Sequence, residues 1–179
     1  MQVRALLWRF TRTVAVPYGP LPARPGESHV NSEWKAVRQM SEHEPTQGGS
    51  QGAPDEDVIE LATKIFDLAR QGETEALTAY LDAGVPANLT NDRGDTLVML
   101  AAYHGHAATV TALLARGAEA DRANDRGQTP LAGAVFKGEE TVIRALLDGG
   151  ADPAAGTPSA VDTARMFAKA DLLELFGAE

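Results

Sequence analysis

The chain of 179 residues contains no cysteine. Disulfides, zinc–thiolate centres and a cysteine nucleophile are thereby excluded, although that absence does not fix the compartment. Long apolar runs are missing too. Hydrophobic content is 44%, yet no stretch approaches the ~18 consecutive apolar residues that span a bilayer. Positive charge is in short supply, with 16 Lys and Arg against 25 Asp and Glu for a net charge of −9. That balance disfavours tracking along a nucleic-acid backbone and favours neutral or basic partners. Motifs of catalytic chemistry are scarce as well. The chain has no Gly-rich phosphate loop ending in Lys-Ser or Lys-Thr and no H-E-x-x-H zinc motif, and no G-x-S-x-G elbow is expected.

The charge is unevenly placed. Residues 1–39 carry six basic side chains against Glu27 and Glu33, a net +4, and the remaining residues carry a net −13. Trp8, Trp34 and the prolines Pro17, Pro20, Pro22 and Pro25 also fall in the first part. Three readings are open for it. Four arginines with no acid before Glu27 fit a mitochondrial-type presequence. The segment also fits a disordered tail, or a leader upstream of a true start at Met40. The following stretch, MSEHEPTQGGSQGAPDED, is acidic and rich in Gly, Ser and Gln, as a solvated linker is. Residues 1–54 are therefore expected to be disordered and outside the core.

From Asp55 the pattern becomes helical. Val58, Leu61, Ile65, Leu68 and Ala69 share one face, and Gly72 ends the run. Leu77, Tyr80 and Leu81 repeat the logic before Gly84. A glycine after each helix supplies the left-handed backbone that closes it. This unit of helix, turn, helix and glycine recurs. Gly72, Gly105 and Gly138 are 33 residues apart, as are Gly84, Gly117 and Gly150, and Leu81, Leu114 and Leu147. The turn Asn91-Asp92-Arg93-Gly94 reappears as Asn124-Asp125-Arg126-Gly127, and residues 91–123 and 124–156 share 12 identities in 33. A fixed period of this size marks a stacked array of helical units.

At these residues the sequence resembles the ankyrin-repeat family. One unit carries Gly127-Gln128-Thr129-Pro130-Leu131, Ala134, Gly138, Ile143, Leu146-Leu147 and Gly150-Ala151. The unit before it carries Gly94-Asp95-Thr96, Val98, Ala101-Ala102, Gly105-His106, Val110, Leu113-Leu114 and Gly117-Ala118. The resemblance covers residues 57–176. It implies an all-α solenoid of stacked helix-turn-helix units with short hairpin-like loops, over a domain of residues 55–179. The units would be 57–90 as an N-terminal cap, 91–123, 124–156, and 157–176 as a C-terminal cap whose turn is about three residues shorter. Thr96 and Thr129 should cap first helices, with Pro130 in the first turn. The Leu-Leu pairs, Leu114 and Leu147 in particular, should form the seam between units. In the last unit Val161, Ala164, Leu172, Leu173 and Phe176 should face the core, and its acids and lysine should face solvent. The family's histidine after Leu is Met99 in one unit and Ala132 in the other, which implies looser loops. About four units read as a complete small protein.

The resemblance also implies a function. Such arrays bind other proteins through a concave side made of loop tips and the exposed faces of first helices. The matching positions are Asp92, Arg93, Asp95, Tyr103 and His104, then Asp125, Arg126, Gln128, Phe136 and Lys137, with Arg70 and Gln71 extending the row into the cap. Aromatics ringed by arginine have the make-up of a binding hot spot. The competing reading buries both rings between helices and pairs each arginine with its neighbouring aspartate. His104 and His106, with Asp92 or Asp95, suggest a metal only weakly, because His106 holds the family's ordinary position at the start of a second helix. Glu139-Glu140 and Asp55-Glu56-Asp57 lie at helix starts, where acids suit the dipole. The expectation is a monomeric, cytoplasmic, non-catalytic adaptor with no cofactor, no metal, no nucleic acid and no membrane contact. The alternative is an immunity-type inhibitor of a basic toxin or enzyme.

Overall fold

The structure, a computed structural model, describes residues 56–178. The readings made for residues 1–54 lie outside the described residues. The chain divides into two compact units, residues 1–61 and 62–179. Of the first, only the opening turns of helix α1 (Glu56–Gln71) are described. The second unit carries everything that follows.

Its helices come in pairs: the end of α1 with α2 (Thr74–Asp82), α3 (Leu97–Tyr103) with α4 (Ala107–Leu114), α5 (Pro130–Lys137) with α6 (Glu140–Asp148), and α7 (Ala160–Met166) with α8 (Ala170–Leu175). After α1 no helix exceeds nine residues. Helices this short are marginal alone and depend on packing. The packing is regular: α3, α5 and α7 stack in one row, and α2, α4 and α6 stack in a second. Among the described residues there is no strand, only the isolated bridges Thr90–Thr96 and Gly156–Ser159.

Local chemistry sets the helix boundaries. The Thr96 hydroxyl accepts from the Met99 amide at 3.1 Å, and the Thr129 hydroxyl accepts from the Ala132 amide at 3.3 Å. Each satisfies one of the orphan donors at a helix start. Pro130 occupies the first turn of α5, where no amide proton is needed. Ser159 and Asp162 form a reciprocal capping box on α7. Gly72, Gly105 and Gly138 close the first helices at positive φ, and Ala168, at φ 51, stands where the next glycine would fall. The offset there is 30 rather than 33, so the last turn is three residues shorter, as expected.

The core lies between the two rows. Val98, Val110, Leu113, Leu131, Val135, Val142, Ile143 and Leu146 are almost wholly removed from solvent. Each such side chain stabilises the stack by about 1.5–3 kcal/mol. Three expectations need correction. In the Leu-Leu pairs it is Leu113 and Leu146 that are fully buried, and Leu114 and Leu147 are half-buried. In the last unit Ala164 is buried, but Val161, Leu172, Leu173 and Phe176 are only half-buried. Lys169 does not simply face solvent: its ammonium donates to the Val135 carbonyl at 2.7 Å, tying the last unit to the one before.

Candidate functional site

The two Asn-Asp-Arg-Gly turns are built from the asparagine outward. Asn91 Oδ1 accepts from the amides of Arg93 and Asp95, both at 2.9 Å. Asn124 Oδ1 does the same for Arg126 and Gln128, at 3.0 and 3.1 Å. The asparagine side chain thus substitutes for backbone partners inside the turn. Asn124 is buried, and its amide nitrogen donates to Asp95 of the preceding finger at 2.8 Å. Backbone bonds join the fingers as well, from the Asp125 amide to the Arg93 carbonyl at 3.1 Å and from the Thr157 amide to the Gly127 carbonyl at 2.7 Å. The fingers are therefore tied without the family's histidine. His106 makes a further tie between units: its ring lies against Gly72, with Nε2 at 2.8 Å from the Arg70 carbonyl.

With the asparagines turned inward, Asp92, Arg93, Asp125, Arg126 and Gln128 are exposed and Asp95 is half-buried. Asp95 is occupied by Asn91 and Asn124. Among the described residues neither the Arg93 nor the Arg126 guanidinium makes an ion pair or hydrogen bond. The pairing with neighbouring aspartates that the competing reading implied is absent at both.

The ends of the first helices form a second row beside the fingers. Tyr103 is 43% exposed and Phe136 54%, so neither ring is sequestered between helices. Lys137 Nζ lies 4.9 Å from the centre of the Tyr103 ring, a cation–π contact between successive units. His104 packs edge-on to Tyr103 at 5.7 Å and stacks on His106 at 6.4 Å. Burial lowers the His104 pKa below its ordinary 6.5, and the charges of His106, Arg70 and Lys137 lower it further. Arg70 itself is held by Asp67 at 2.7 Å. Gln71 is exposed at the start of the row.

Two residues of this row escaped the sequence reading. Phe136 meets Phe167 edge-on at 5.5 Å, and Met166 and Phe167 are 69% and 47% exposed. They occupy, in the last unit, the positions of Phe136 and Lys137 once the offset of 30 is applied. The signal was the shortened turn already read from the sequence, carried one unit further. The row therefore runs Arg70-Gln71, Tyr103-His104, Phe136-Lys137, Met166-Phe167. It contains no acidic residue; its cations are Arg70 in the first pair and Lys137 in the third, and its last pair, Met166-Phe167, is apolar.

Among the described residues no group of three or more His, Cys, Asp or Glu could hold a metal. One G-x-S-x-G spacing does occur, at Gly48-Gly49-Ser50-Gln51-Gly52, contrary to the expectation that there was none. It lies outside the described residues. No described helix is long and apolar enough to cross a membrane.

A family model of ankyrin repeats in three copies matches residues 65–156, more than half of the chain. The chain belongs to the ankyrin-repeat family. A curated ankyrin repeat protein of Pseudomonas aeruginosa is 49% identical over 51 residues, which are 28% of this chain and 30% of that protein. The chain thus matches about a third of that relative's length. The crystal structure of the human ASB11 ankyrin repeat domain is 31% identical over 50% of this chain and 40% of its own, with a TM-score of 0.48. Ankyrin repeats are generally protein–protein interaction modules, and the fold is typically non-catalytic.

Proposed function

We propose that this chain is a non-catalytic adaptor that binds another protein on the side formed by its finger tips and first-helix ends. The observation that carries this reading is the continuous row of exposed rings, Tyr103, Phe136 and Phe167, beside two arginines with no partner of their own. Aromatic side chains supply desolvated area with few rotors to freeze, and guanidinium groups supply directed hydrogen bonds. Both are present on neighbouring units, so one partner can cover them together.

The test pairs each ring with its finger arginine. Tyr103→Ala with Arg93→Ala, and Phe136→Ala with Arg126→Ala, should each abolish capture of the partner that the unaltered protein retains. Helicity should be unchanged, because these side chains are exposed and surface changes typically cost ~0.5 kcal/mol or less. A matched pair on the second helices, Thr111→Ala with Arg144→Ala, should bind as the unaltered protein does. Loss of binding in that pair alone would move the site to the opposite side.

The net charge of −9 supports a second reading, in which an inhibitor is steered by its field to a basic target. The charge of the binding row itself runs the other way.

A further inference from the structure

The row of first-helix ends is locally cationic on an acidic protein. Its four paired positions hold no acid although the chain has 25. Its permanent cations are Arg70 and Lys137. Arg70 is partly neutralised by Asp67, so Lys137, exposed over the Tyr103 ring, is the foremost free charge. The fingers add Arg93 and Arg126 but also Asp92 and Asp125, and nearly balance themselves.

The row is not smooth. Gly133 lies one turn before Phe136, in the place that Leu100 holds one unit earlier. A side chain there would meet nothing nearer than Tyr103 Cδ2, at 4.0 Å. The missing side chain leaves open space at Gly133 beside the Tyr103 ring. Beyond Phe136 the surface is apolar, continuing through Phe167 and Met166.

We propose that this row docks a peptide segment of a partner protein that carries both carboxylate and apolar side chains. A carboxylate meets Lys137. An apolar side chain fills the open space at Gly133 against Tyr103, and further apolar side chains cover Phe136 and Phe167. This rests on the protein-binding side proposed above and names the chemistry of its occupant.

The probe is a library of short random peptides displayed on phage and selected on the immobilised full chain. Enriched sequences should join Asp or Glu to Leu, Phe or Trp. A synthetic copy of the best one should bind more weakly at high salt. It should lose affinity roughly tenfold with Lys137→Glu or Phe136→Ala, and not with Thr111→Ala plus Arg144→Ala. Lys137→Gln, which removes the charge without reversing it, should give an intermediate loss, and unchanged circular dichroism shows that each variant is folded. Enriched peptides that are basic or uncharged but still lose binding with Phe136→Ala would overturn the acidic occupant and leave the protein-binding side standing. Enriched peptides indifferent to every change in the row would overturn both. No enrichment over an unrelated acidic protein would also overturn the proposal.

Discussion

Leu114, at the end of α4, reaches Gly149, at the end of α6, so closely that a methyl group on Gly149 would collide with its Cδ1. Gly149 has φ −82, which any residue adopts. It is therefore Leu114, not the backbone, that requires glycine here. The contact explains how a half-buried leucine still serves the seam between units.

Gly149→Ala should destabilise the protein by about 1 kcal/mol, the low end for overpacking, because the obstructing atom is the tip of a side chain that can turn aside. In a Leu114→Ala background the same change should cost almost nothing. Urea midpoints of the two single variants and the double variant check this. Strictly additive losses would show that the two residues do not compete for one space.

Leu113→Ala and Leu146→Ala should each cost roughly 2–5 kcal/mol, the usual range for a buried leucine. Leu114→Ala and Leu147→Ala should cost less than half as much, because their side chains keep contact with solvent. Chemical denaturation of the four variants checks the order. Equal losses within each pair would mean that both leucines are core.

That difference marks a limit of what the sequence disclosed. Capping by Thr96 and Thr129, the closing glycines and the shortened last turn were all legible, because each follows from the local chemistry of a few adjacent residues. Which leucine of a pair points inward was not. The two differ by one position, or about 100° around the helix, and either suits an apolar seam. The inward turn of Asn124 was also hidden, since its partner Asp95 lies 29 residues away and an asparagine in a turn is ordinarily read as exposed. Tyr103 and Phe136 were found by the repeat offset. Met166 and Phe167 were missed because the row was not carried across the change of offset. Lys169 was assigned to solvent by its charge, although its long stem lets the ammonium reach a carbonyl of the unit before.

Gly133→Ala should stabilise the protein by up to ~1 kcal/mol. Glycine within a helix costs about that much relative to alanine, and the added methyl group meets only Tyr103 at ordinary contact distance. Thermal melting should show a higher midpoint. A lower one would mean that the space beside Tyr103 is closed.

Arg116 grips Asp82 through two hydrogen bonds, Nε to Oδ1 at 2.8 Å and a terminal nitrogen to Oδ2 at 3.1 Å. This joins the end of α2 to the residues after α4. The hydrogen bond holds the Asp82 pKa below the ordinary 3.8, and the charge of Arg116 adds to it. A carboxylate with a depressed folded-state pKa stabilises the protein above its ordinary pKa, and that share is lost as pH falls through the folded value. Arg116→Ala should therefore lower stability well above pH 3.8 and make progressively less difference below it. Urea midpoints of the two proteins across that range check the sign. A gap that widens in acid would contradict it.

The most direct measurement of the protein-binding side places a photo-crosslinking aromatic residue at position 136 in one variant and at position 144 in another. Each is irradiated in the presence of the cell extract from which the protein comes. Position 136 sits in the exposed aromatic row and position 144 on the second-helix side. A discrete covalent adduct with one partner from position 136, and none from position 144, is the predicted result. An adduct from position 144 with none from position 136 would contradict the proposed binding side.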